Sequence, residues 1–336
     1  MKRFFIRAGI FFILPFLLLV AIYVWTDPFR CIHTFDLNNI DTGNREYFTT
    51  ELFLRNQPTY QYNSFVFCSS RGLGFNTYTW KMYLPDDARP FLFQAWGETL
   101  TGIELKIDYL VKQHIPIDNA LVLLDIPRTF RTDQLPSIAI ERKHYLFTGE
   151  SKFMYNVGQF YNFIQKPTFV VKKIGNTIRG TKRECMFDTI TNDCDLSYKD
   201  NYAALPPQDS ISENTRRLFF PQIENGDTIQ LQSEQLITAQ FLKQLEHIHE
   251  IFVNQGTDYN IVLTPAYYHA SPSVNAQDLA VIKGVFGTDR VYDYTGKNHI
   301  TTDYHNFLDP NHFGLHVGYL ILQDIYSDSS LVNAIQ

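Results

Sequence analysis

Residues 63–72 read Asn63-Ser64-Phe65-Val66-Phe67-Cys68-Ser69-Ser70-Arg71-Gly72. Four consecutive apolar residues, without alternation and with polar residues at both ends, have the pattern of a strand buried on both faces. Four similar short runs follow, at 91–95, 120–124, 259–264 and, more weakly, 291–294. Helical patterns lie between or after them, at 98–113, 233–255 and 312–326. The second carries Ile237, Phe241, Leu245, Ile248 and Phe252 on one stripe and stops at Gly256. Strands alternating with helices predict an α/β domain, a three-layer α/β/α arrangement around a mostly parallel sheet. Residues 127–227 break this rhythm and read as an insertion between the third and fourth strands. The insertion contains an aromatic amphipathic helix over 151–164 and a basic stretch of Lys166, Lys172, Lys173, Arg179, Lys182 and Arg183. That stretch reads as a solvated surface, with a face toward anionic lipid or polysaccharide as the functional alternative.

Upstream of the first strand the chain changes character. Residues 8–25, AGIFFILPFLLLVAIYVW, carry no charge and have about the length of a membrane-crossing helix. Lys2, Arg3 and Arg7 precede this run and Asp27 follows it, which predicts a cytoplasmic N-terminus and an exported remainder. A cleaved signal peptide would end in small residues, whereas Tyr23-Val24-Trp25-Thr26 is bulky. The expected organisation is a cytoplasmic tip and signal anchor over 1–26, a juxtamembrane segment over 27–62 and an α/β domain over 63–336. The chain has 336 residues, 45% of them apolar and 19% charged, which excludes a largely disordered protein. Its net charge of −6 argues against a nucleic-acid binder. Cys185 and Cys194 flank a turn-rich stretch, and in an oxidising compartment they read either as a loop-closing disulfide or as two thiols.

In open parallel sheets, ligand sites form beyond the carboxyl ends of the strands. A serine there, at Ser69-Ser70, suits a nucleophile with a backbone N–H beside it; ordinary turn serines are the plainer reading. Near the C-terminus the chain reads Leu308-Asp309-Pro310-Asn311-His312-Phe313. Spacing of three lets Asp309 and His312 share the first turn of the last helix. His312 would then meet a serine hydroxyl while Asp309 fixes its tautomer. Alternatively, Asp309 simply caps the helix with Pro310 at its first position. A helix N-terminus would also hold the histidine neutral. If the acid, base and nucleophile meet, Ser70 and His312 should stand about 2.6–4 Å apart at the carboxyl edge of the sheet. His247 and His249, among Glu246 and Glu250, read as solvated surface. His299, Asp303 and His305 lack the spacing of a metal site, and Tyr267-Tyr268-His269 reads as packing near the crevice. Neither metal nor cofactor is expected.

A strand ending in a small-x-Ser turn, followed late in the chain by Asp-x-x-His, resembles the SGNH/GDSL hydrolase superfamily. More narrowly, the anchor and the Cys68-Ser69-Ser70-Arg71 turn resemble the membrane-anchored SGNH-like proteins of bacterial cell-surface polysaccharide loci. The resemblance covers about residues 60–125 and 255–330. It implies an SGNH or flavodoxin-like fold with Ser70 as nucleophile, His312 as base and Asp309 as third member. Gly97 matches the oxyanion glycine, and Arg71 is a further binding position. It also implies a periplasmic domain held at the inner membrane through residues 8–25, acting as an O-acetyltransferase or esterase on a cell-surface glycan. A membrane-bound O-acyltransferase is the implied partner. Cys68 replaces the family's usual glycine, and no Asn-containing block follows the third strand. These departures leave an inactive scaffold or assembly protein as the alternative. The α/β-hydrolases are a rival fold, since Cys68 to Gly72 is one substitution from their nucleophile elbow, but they normally draw the acid from a separate strand end.

Overall fold

The computed structural model describes residues 1–33, 44–130, 142–179, 187–194, 220, 232–269 and 271–326. The chain divides into two compact units, one of residues 1–51 and 138–185 and the other of residues 52–137 and 186–336.

The second unit is an α/β domain. Its sheet consists of β1 (Ser64–Cys68), β2 (Pro90–Gln94), β3 (Asn119–Leu124), β4 (Asp258–Leu263) and β5 (Val291–Asp293). All pairs are parallel, in the order β2-β1-β3-β4-β5. β1 and β3 are buried along their whole length, as their unbroken apolar runs require. The pleat sends Phe65 and Phe67 to one face and Val66 and Cys68 to the other. On the first face Phe53 stacks against Phe93, and Lys106 lies over the Phe93 ring. These residues belong to the helices α2 (Arg45–Tyr60) and α4 (Leu100–Lys112), the short helix α3 (Thr77–Lys81) lying between them in the chain. On the second face the side chains of β1, β3 and β4 pack with Val317, Ile321 and Leu322 of the last helix. Helices therefore cover both faces, consistent with three layers.

The first unit holds α1 (Lys2–Thr26), α5 (Tyr145–Thr148), α6 (Lys152–Gln165) and α7 (Pro167–Arg179). α1 ends where Asp27 turns left-handed, at φ 35°, and its carboxylate accepts the N–H groups of Cys31, Ile32 and His33. Tyr23, Phe29, Cys31, Tyr47, Tyr155 and Phe163 form the core of this unit. The side chains of α1 are described at Phe4 and from Phe11 onward, and among the described residues no helix is long and apolar enough to cross a membrane.

Two helix starts differ from expectation, and one helix, α2, was not expected. α2 crosses the boundary between the units, in a stretch that shows little helical periodicity and contains Pro58. α8 (Ala239–Gln255) starts six residues later than 233, because Asp278 accepts the N–H groups of Leu236 and Ile237 and holds that segment out of the helix. Thr238 then caps α8 through the N–H of Phe241 at 3.2 Å. After α9 (Ala276–Phe286), the final helix α10 (Leu315–Tyr326) begins three residues beyond His312. The Cys185–Cys194 pairing involves Cys185, which lies outside the described residues, while Cys194 is buried.

α10 is seated directly on the turn that follows β1. A Cβ on Gly318 would lie 1.9 Å from the Gly74 carbonyl oxygen, so only glycine allows this approach. Gly318→Ala must push the helix off the turn. The expected cost is about 1–3 kcal/mol of overpacking, read as a lower urea midpoint with an unchanged slope.

Candidate active site

The polar residues that follow β1, β3 and β4 at the carboxyl edge find one another. Asp125, just past β3, is buried. One of its oxygens accepts from the Ser69 hydroxyl, just past β1. The other accepts from Thr264, just past β4, at 2.6 Å. The Asp125 N–H is taken by the Thr129 hydroxyl at 2.9 Å. Ser69 Oγ also receives the Arg71 N–H at 3.1 Å and starts a tight 3₁₀ turn over Ser70–Gly74. The Arg71 guanidinium, only 7% exposed, donates to Thr264 Oγ1 at 3.3 Å.

Ser69 is thus consumed by structure, and Ser70 is turned the other way. His312 Nε2 stands 2.8 Å from Ser70 Oγ, and His312 Nδ1 stands 2.7 Å from Asp309 Oδ2. The carboxylate selects the tautomer with the proton on Nδ1, which leaves Nε2 to accept from the serine hydroxyl. Asp309 and His312 do not share a helical turn. They sit on a small antiparallel hairpin, β6 (Phe307–Asp309) and β7 (His312–Phe313), closed by Pro310 and Asn311. Asp309 Oδ1 accepts the N–H groups of Asn311 at 2.8 Å and His312 at 3.2 Å, closing the hairpin where a helix cap was expected. The helix dipole therefore has no direct hold on His312. Phe307 and Phe313 enter the core, and Tyr267 N–H donates to the Pro310 carbonyl at 2.9 Å, which fixes the hairpin against the β4 end. Burial raises the Asp309 pKa, but the bonds from His312 and from the Asn311 and His312 N–H groups outweigh it and hold the carboxyl below its usual range.

Gly97 stands at the same edge. The strands pair through Cys68 and Gln94, and Ala95 N–H donates to the Cys68 carbonyl at 3.1 Å, so the loop after β2 leaves beside the serine turn. Gly97 is left-handed, at φ 63°. Among the described residues neither its N–H nor that of Ser70 has an acceptor. The next residue, Glu98, is buried and paired with Lys106 of α4, which steadies the loop. In the same loop the Trp96 indole N–H is buried without an acceptor among the described residues.

The structure brings together Ser70, His312 and Asp309. It sets Gly97 at the same edge and directs Arg71 toward Thr264. Ser69, Asp125 and Thr264 were not singled out by sequence as a group. Their only sequence signal is that each is the first polar residue after an apolar run. Two histidines outside the site are engaged with surface aspartates. His247 meets Asp108 at 2.8 Å on the surface, and His305 meets Asp303 at 2.7 Å. No metal-ligating cluster occurs among the described residues. Compared with known proteins, the chain matches no family model, no curated relative and no solved structure.

The two serines should separate cleanly. Ser69→Ala strands a buried carboxylate oxygen and should cost about 1–3 kcal/mol in chemical denaturation, whereas Ser70→Ala should leave stability nearly unchanged. Asp309 gives a pH signature. Its lowered folded pKa contributes stability that is present above the unfolded value of about 3.9 and is lost as pH falls through the folded value. Asp309→Asn should therefore be less stable than the parent at neutral pH, with the gap in melting temperature closing in acid.

Proposed function

We propose that this chain is a membrane-anchored, extracytoplasmic serine acyl-transfer enzyme of the SGNH type, an O-acetyltransferase or esterase acting on a cell-surface glycan. The observation that carries the reading is the continuous hydrogen-bond chain from Ser70 Oγ through His312 to Asp309. In this reading His312 Nε2 takes the Ser70 proton as Oγ attacks an ester carbonyl. The imidazolium is stabilised by Asp309, which is ionised because its carboxyl is held low. The N–H groups of Ser70 and Gly97 are the donors available to the oxyanion. His312 then returns the proton to the leaving alkoxide, leaving an acyl-serine. Water or a sugar hydroxyl, deprotonated by the same histidine, attacks the acyl-serine and frees Ser70. Asp309, three residues from the histidine, favours this type over an α/β-hydrolase, and so does a nucleophile on a 3₁₀ turn.

The export and anchoring part rests on residues 8–25, with Lys2, Arg3 and Arg7 before them, in a bacterial inner membrane. The successive exposure of Phe11, Phe12, Ile13, Leu14, Phe16, Leu17 and Leu18 supports it, because a helix apolar all round suits lipid better than water. The glycan acceptor and an O-acyltransferase partner follow from the family resemblance alone.

A fluorophosphonate probe should label Ser70 in the full-length protein and fail on Ser70→Ala while still labelling Ser69→Ala. With an activated acetyl ester, His312→Ala should lower kcat by roughly 10²–10⁴-fold. Its effect should not add to that of Ser70→Ala, since the two act as one unit. Asp309→Ala should cost less than either. A folded protein that neither takes the probe nor turns over ester would overturn the enzyme reading and leave a scaffold of the same fold.

A further inference from the structure

The first unit carries an apolar surface that the acyl-transfer site does not use. On α6, Tyr155, Gln159 and Phe163 face inward and are buried. The opposite stripe would be polar on an ordinary surface helix. Here it is Phe153, Val157, Tyr161 and Ile164, all exposed, with Phe153 at 74% and Met154 exposed beside it. α7 continues the pattern with Val171 at 70% and Ile178 at 68% exposure, one heptad apart. Residues 152–179 contain Lys152, Lys166, Lys172, Lys173 and Arg179 and no acidic residue, in a chain whose net charge is −6. Exposed apolar side chains among cations, with no anion, are the composition of a helix lying on an anionic membrane.

Packing against α1 adds depth. Phe160 contacts Phe16 edge-on at 5.9 Å and Tyr23 at 5.2 Å, and Phe163 also contacts Tyr23 at 5.2 Å. α7 packs against α1 as well. Phe16 is near the middle of the 8–25 run, and Tyr23 lies about 10 Å further along the helix toward its outer end at 1.5 Å per residue. If α1 crosses the bilayer, Phe160 stands between mid-plane and outer surface, which puts the exposed stripe at a depth where hydrocarbon is the available neighbour.

We propose that α6 and α7 form a second membrane-contacting element, embedded in the outer leaflet beside α1 through Phe153, Val157, Tyr161, Ile164, Val171 and Ile178. The proposal rests on the reading of α1 as a transmembrane anchor. The insertion thereby becomes a foot on the bilayer, and its lysines meet lipid headgroups.

The full-length protein, reconstituted in phosphatidylethanolamine–phosphatidylglycerol vesicles containing a phospholipid with a diazirine in its acyl chain, tests this by peptide mapping after irradiation. Label is expected on α1 and on residues 153–178. The double variant Val157→Asp, Val171→Asp, altered only at exposed positions, should lose label from α6–α7 and keep it on α1. Label confined to α1 overturns the proposal while sparing the anchor, and means that solvent or a protein partner covers this face. Label on neither removes the anchor reading and the proposal with it.

Discussion

A single buried carboxylate organises the carboxyl edge of this sheet. Asp125 accepts from Ser69 and Thr264, the residues that follow the two strands flanking its own. A buried anion without compensating donors would be untenable. With both oxygens saturated it becomes a staple across β1, β3 and β4. The turn after β1 inherits its geometry from that staple: Ser69 is pulled inward, Arg71 N–H closes on it, and Ser70 is left pointing at the hairpin.

The hairpin is built by the same economy. Asp309 spends one oxygen on two backbone N–H groups and the other on His312 Nδ1, so a single side chain shapes the loop and orients the base. Two adjacent serines and two distant aspartates thus divide the work. The Ser69–Asp125 pair is buried and structural, and the Ser70–His312–Asp309 chain is partly exposed. Gly318 matters to both, because the closeness of α10 to Gly74 fixes where the turn can sit.

Much of this was legible in the residues. The strands announced themselves because a parallel sheet covered on both faces demands uninterrupted apolar runs, and all five lie within a residue or so of those runs. The approach of Ser70 to His312 followed from topology, since both flank elements that end at one edge. The local conformation of the histidine did not follow. Asp309-Pro310 opens a helix and closes a hairpin equally well, and only the burial of Phe307 and Phe313 decides between them. α2 escaped notice for a different reason: its buried positions include Arg45, Glu46, Thr49 and Thr50, whose burial depends on partners that periodicity cannot reveal. Asp125 gave no sign beyond being the first polar residue after an apolar run, because its partners lie 56 and 139 positions away.

Arg71 shows what the network does for the site's electrostatics. Its guanidinium is buried, and among the described residues its one side-chain hydrogen bond goes to a neutral hydroxyl, Thr264. The countercharge is Asp125, one hydroxyl removed on the other side of that threonine. A carboxylate in direct contact would cancel the cation locally. Separated by Thr264, the pair is neutral as a whole, with its negative end bonded to Ser69. Asp309 supplies the opposite sign to His312, where positive charge would develop. In the proposed chemistry Asp309 thus stands where proton transfer from Ser70 to His312 would place positive charge, and its other oxygen, bonded to two backbone N–H groups, keeps it there.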